Sequence, residues 1–88
     1  MRWNIELAKH AVYFIDKNHI PKEQIFQVIS EAIKNFQGET VSIDIRKMKG
    51  KWEGFYRIRK GRWRLIAEFD FDSNFVFIED IDWRGNIY

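Results

Sequence analysis

Cysteine is absent and proline occurs once, at Pro21. Without thiols the chain has neither disulfides nor thiolate metal ligands, as suits a reducing compartment. Histidine occurs twice, at His10 and His19, with no third ligand at metal-site spacing, so both read as ordinary surface or cap residues. No apolar run approaches membrane-spanning length and no signal-peptide core follows the N-terminus. The expectation is a cytoplasmic protein with no membrane partner. A Gly-rich phosphate loop before a helix, a Ser/His/Asp spacing and a Cys/His cluster are all missing too. Any catalysis must therefore come from arginines, carboxylates and tyrosines, and no metal or cofactor is expected.

What is present is apolar and basic. The 88 residues are 45% hydrophobic and 17% aromatic, enough for one ordered core and a single domain over 1–88. The net charge of +2 hides a strong asymmetry. Arg46 to Arg64 holds nine Lys or Arg against one acid, Glu53, whereas Leu65 to Trp83 holds six acids and no base. Such a distribution implies a positive surface beside a negative one. Acidic strand residues of this kind are commonly a solvated face or charge balance for nearby arginine.

The basic segment also carries the clearest local signal. Two alternating runs, Phe55 to Arg59 and Arg62 to Ile66, flank Lys60-Gly61, where glycine supplies the positive φ of a tight turn. A two-residue loop there predicts Arg59 opposite Arg62, Arg57 opposite Arg64 and Phe55 opposite Ile66. Arg57, Arg59, Arg62 and Arg64 then share one face, and Tyr56, Ile58, Trp63 and Leu65 the other. Like charges across a ladder destabilise it, so four arginines gathered this way imply a compensating polyanion. The alternative is a solvated face whose arginines stack on aromatics or pair with carboxylates elsewhere.

Around the hairpin the elements follow from periodicity. Arg2 to Leu7 alternates and predicts a short half-buried strand. From Ala8 the period becomes helical, with Ala8, Ala11, Val12 and Ile15 on one stripe and an end near Asn18. Pro21 at N1 opens a second helix with the stripe Ile25, Val28, Ile29, Ala32, Ile33 and Phe36, stopped by Gly38 at C′. Gly38 to Gly50 reads as a loop with some strand character at Val41, Ile43 and Ile45. The third strand runs to about Asp70, Asp72-Ser73-Asn74 is a turn, and Phe75 to Ile78 is a last apolar strand fading into Glu79-Asp80-Ile81-Asp82. Its register leaves open whether Val76 or Phe77 joins the core. The order β-α-α-β-β-β predicts an α+β domain, a mainly antiparallel sheet with an αα-hairpin on one face.

Lys47-Met48-Lys49-Gly50, Tyr56-Arg57-Ile58-Arg59, Gly61-Arg62-Trp63-Arg64-Leu65 and a terminal Trp83-Arg84 with Tyr88 together resemble the RelE/ParE superfamily of bacterial toxin-antitoxin toxins. The element order agrees over nearly the whole chain. RelE-like members are ribosome-dependent mRNA endonucleases neutralised by an antitoxin, whereas ParE-like members poison DNA gyrase. The resemblance favours the RelE-like reading, because ParE-like toxins generally lack the full basic set. It implies a cognate antitoxin and mRNA on the ribosome, with its rRNA, as partners. DNA gyrase is the alternative.

Carried over position by position, the family's strand-two basic pair falls on Arg57 and Arg59, its strand-three arginine on Arg64, and its C-terminal arginine and tyrosine on Arg84 and Tyr88. In RelE-like enzymes these orient the scissile phosphate, stabilise its charge and move protons. The resemblance further implies RNA contacts from Arg46, Lys47, Lys49, Lys51, Arg62 and Trp83. Two departures matter. Arginine replaces the pair's frequent lysine, and a guanidinium cannot give up its proton. A general base is then missing: Tyr88 serves only if the cationic site lowers its pKa, and Glu53 and Asp82 are weaker candidates. Trp83 stands where many relatives have histidine, suited equally to stacking on a base or to packing.

Overall fold

The computed structural model describes residues 2–85. Strand β1 (Asn4–Leu7) leads into helices α1 (Lys9–Lys17) and α2 (Lys22–Phe36), and then strands β2 (Asp44–Lys47), β3 (Tyr56–Lys60), β4 (Trp63–Asp70) and β5 (Phe75–Trp83) follow. A single 3-10 turn, Gly50–Trp52, separates β2 from β3. The five strands form one sheet in the order β1-β5-β4-β3-β2, antiparallel except for the parallel β1–β5 pair. This is the expected α+β architecture with one strand more.

Each helix forms where its apolar stripe can be buried. Ala11 and Ile15 of α1 and Ile25, Val28, Ile29, Ala32 and Ile33 of α2 pack on the sheet, with Ile58, Leu65, Ala67, Val76, Ile78 and Ile81 beneath them. Burying an isoleucine or leucine this fully contributes about 1.5–3 kcal/mol. The helix ends lie within a residue of expectation. Ala8 and Pro21 are the N-cap positions rather than the first helical residues, and Gly38 follows the Gln37 C-cap with φ 93°, the left-handed conformation that stops a helix. Val12, assigned to the core stripe, is instead 37% exposed.

Three expectations about the sheet need correction. The segment read as a loop contains β2, which pairs with β3 so that Ile45 lies opposite Ile58 and can share its apolar surface. The β3–β4 turn is Gly61-Arg62, one residue later than expected, and it sets Arg59 opposite Arg64, Arg57 opposite Ile66 and Lys60 opposite Trp63. The cause is the turn itself: Gly61, with φ 59°, takes the first of its two positions, where a type II′ turn favours glycine, whereas the expected turn puts Lys60 there. Sliding the turn by one residue moves the pairing but not the parity, so Arg57, Arg59 and Arg64 still share a face. Arg62 leaves that face for the turn.

The third correction lies in β5, which continues to Trp83 through a bulge. Ala67 pairs with Ile78 but Ile66 with Asp80, leaving Glu79 as an extra residue. Without it Asp80 would stand opposite Leu65, inside the core, and Ile81 opposite Arg64. The insertion turns Ile81 inward, where it is buried, and sends Asp80 and Asp82 to the far side of the sheet. Val76, not Phe77, is the core residue of the first half.

Candidate active site

The sheet face away from the helices is built by parity. In ladder order it presents Asp44 and Arg46 from β2, Arg57 and Arg59 from β3, Arg64 and Ile66 from β4, and Asp80 and Asp82 from β5. It is therefore not the uncompensated cationic face that four arginines alone would make. Carboxylates from both flanking strands enter it, as the alternative sequence reading allowed.

Arg64 is the most enclosed of the set, with a side chain only 4% exposed in the middle of the sheet. Its Nη2 donates to Asp80 Oδ2 at 2.8 Å and lies 3.6 Å from Asp82 Oδ2. A charge buried this deeply persists only when paired. Beside it Ile66 is fully buried although it belongs to the arginine side, with Arg57 and Asp80 as its ladder neighbours. Arginine stems can cover apolar surface in this way.

Arg57 and Arg46 both reach toward Asp44, at 3.7 Å to Oδ2 and Oδ1 respectively. The Nε atoms of Arg57 and Arg59 are buried and have no hydrogen-bond partner among the described residues. Arg59 opens instead onto a groove of about 530 Å³ lined by Ser42, Ile43, Asp44, Lys60, Gly61 and Arg84. Arg84 arrives there from the end of β5. Its backbone N–H donates to the Arg62 carbonyl at 2.8 Å and its Nη1 to the Gly61 carbonyl at 3.5 Å. Lys60 fixes the neighbouring wall by donating to the Ser42 carbonyl and pairing with Glu31 at 3.1 Å. Hydrogen bonds from Gln27 and Lys60 hold the Glu31 carboxyl below its ordinary value of 4.5.

Four of the five residues proposed for catalysis are thus brought to one region: Arg57, Arg59 and Arg64 on one face, and Arg84 beside Arg59 at its rim. Tyr88 lies outside the described residues. The implied RNA contacts are more scattered. Arg46 is exposed on the arginine face, whereas Lys47 and Lys49 line a separate cavity of about 640 Å³ with Met48, Glu53, Phe55 and Tyr56. Lys51 sits 5.9 Å from the Trp52 ring. Arg62 stacks over Trp63 at 4.9 Å and approaches Trp83 at 5.8 Å.

Trp83 pairs with Trp63 and so lies on the helix side. Its ring stacks on that of Trp63 at 5.2 Å and meets Phe14 edge-on at 5.3 Å. Packing, not the arginine face, occupies it. Glu53, a weaker base candidate, lines the Lys47 and Lys49 cavity at the other end of the β2–β3 hairpin.

Two residues escaped the sequence reading, Asp44 and Asp80. Asp44 was hidden because its segment read as a loop. For Asp80 a signal existed: the helix-side apolar positions Val76, Ile78, Ile81 and Trp83 are spaced two, three, two, and the three marks the bulge.

No family model and no curated protein matches the chain in sequence. Solved structures do. A chain of the archaeal RelE-RelB complex from Pyrococcus horikoshii superposes with a TM-score of 0.58 at 22% identity, covering 99% of this chain and 100% of that one. A chain of the YoeB-YefM complex from Staphylococcus aureus gives 0.61 at 20% identity over 96% and 99%. One of the E. coli DinJ-YafQ toxin-antitoxin complex gives 0.64 at 15% identity over 100% and 99%. The fold is that of the RelE-like toxins. In each case the likeness covers nearly the whole chain. Nothing in it supports the ParE-like alternative, with gyrase as target.

Proposed function

We propose that this chain is the toxin of a toxin-antitoxin pair and that it cuts mRNA on the ribosome. The observation that carries the reading is the convergence of Arg59 and Arg84, far apart in sequence, on one groove whose sole carboxylate among the described residues is Asp44. Two guanidinium groups suit a phosphodiester, and a carboxylate beside them suits the proton that must leave the nucleophile. The RelE-like fold and the solution of three such neighbours as complexes support a cognate antitoxin as partner.

In this reading the RNA supplies its own nucleophile. Asp44 takes the 2′-OH proton, the 2′-oxygen bonds to phosphorus, and the bond from phosphorus to the 5′-oxygen breaks. The products are a 2′,3′-cyclic phosphate and a 5′-hydroxyl, whose proton comes from Tyr88, here an acid rather than the base candidate of the sequence reading. Arg59 and Arg84 neutralise the extra charge on the pentavalent phosphorus, where preorganised donors have most effect. Alignment of the 2′-oxygen is left to the ribosome-bound message and the groove wall. Arg57 and Arg46, each 3.7 Å from an Asp44 oxygen, orient that carboxylate toward the groove.

The test is toeprinting of a short mRNA on purified ribosomes, with wild type beside Arg59→Ala. New breaks in the ribosomal A site that vanish in the variant are the expected result. An intact message with wild-type protein overturns the reading.

A further inference from the structure

We propose that Asp80 is a positioning residue of the arginine site, placed there by the β5 bulge, and that it acts through Arg64. This rests on the endonuclease reading above.

The argument begins with a conflict. Arg59 and Arg64 are directly opposed across the β3–β4 ladder, where like charges repel. Arg64 cannot relieve the conflict by turning to water, because it is enclosed at the centre of the sheet. Asp80 binds it at 2.8 Å from the strand on its other side. The bond draws the Arg64 guanidinium toward β5, away from Arg59, and Arg59 is left facing the groove that Arg84 and Asp44 share.

A stabilising role alone explains this poorly. A buried ion pair is weak support for a fold, since apolar residues of similar volume usually do as well or better. Here the pair is reached only through an inserted residue, Glu79, that breaks the ladder between Ile66 and Ala67. Bulges of this kind commonly re-aim side chains beside active sites. The inserted residue itself is tied down, with Glu79 Oε2 3.2 Å from His10 Nε2 on the helix side. Asp80 is 30% exposed at its side chain and ends on Arg64, so its effect on the groove passes through that guanidinium.

The experiment is a double-mutant cycle on Asp80→Asn and Arg64→Gln, read as the single-turnover cleavage rate of mRNA on programmed ribosomes. Rates are taken at saturating protein, well below each variant's melting temperature. Asp80→Asn is expected to slow cleavage by about tenfold or more, the scale of a small misplacement of reacting groups. The half-saturating protein concentration should stay unchanged. The double variant should be no slower than Arg64→Gln alone, because the second change has nothing left to act through. Asp80→Glu, which keeps the charge, should fall between wild type and Asp80→Asn. If Asp80→Asn does not fold, Asp80→Glu decides, with a several-fold slower rate at unchanged half-saturation expected. A wild-type rate in the folded Asp80 variant, or independent losses that multiply in the double variant, overturns the inference while leaving the endonuclease intact. A wild-type protein that cuts nothing overturns both.

Discussion

Arg59 faces Arg64 across the central ladder, and the two guanidinium groups go opposite ways. Arg64 turns toward Asp80 and Asp82 on β5, while Arg59 opens to the groove with Asp44 and Arg84. One arginine is thereby spent inside the sheet and the other is presented at its surface. Each of the four predictions below depends on which of these environments a residue occupies.

Because Arg59 and Arg84 face the groove and hold no core position, Arg59→Ala and Arg84→Ala should each slow cleavage by about 10²–10³-fold, the usual cost of losing one charge-stabilising donor. Melting temperatures should stay close to wild type. Toeprinting kinetics beside thermal unfolding checks both halves.

Arg64→Ala belongs to a different class. It leaves Asp80 and Asp82 facing each other beside buried Ile66, and a broken ion pair in a partly exposed setting should cost about 2–4 kcal/mol. Urea unfolding should show the midpoint falling with an unchanged slope. A variant as stable as wild type would mean that the pair contributes nothing to the fold.

The Lys60 tether makes stability depend on pH. Glu31 has its folded-state pKa lowered, first by the Gln27 hydrogen bond and then by Lys60. Its contribution is complete above the ordinary value of 4.5 and disappears as pH falls through the lowered one. From about pH 5 downward, wild type should therefore lose melting temperature more steeply than Glu31→Gln. Parallel pH profiles of the two proteins would show otherwise.

Trp83 should matter to the fold before it matters to cleavage. With Trp63 and Phe14 against its ring and 36% of its surface exposed, Trp83→Ala should cost about 2 kcal/mol, less than a fully buried tryptophan. Below the melting transition its cleavage rate should match wild type. A large rate loss in a folded Trp83→Ala protein would instead give the ring a place on the RNA.

Much of this was legible in the chain itself. The helix stripes are set by a 3.6-residue period, and Ile25 through Ile33 lie where that period puts them. The faces of the arginine hairpin were equally readable, since strand parity survives a one-residue slide of the turn. Pairing did not survive it: Gly61 at the first turn position, with its positive φ, put Arg59 opposite Arg64. β2 was obscure for a related reason. A four-residue strand has little pattern of its own and exists because β3 offers it an edge.

The sequence by itself determined the fold class, the apolar faces and the arginine supply, because these depend on local periods and on which residues are present. The tertiary structure alone decided where the charges go. A single inserted residue in β5 carries Asp80 and Asp82 from core to site, and only the assembled sheet brings Arg84 beside Arg59 and Asp44. Compensation of charge is a property of neighbours across strands, and sequence separation does not record who those neighbours are.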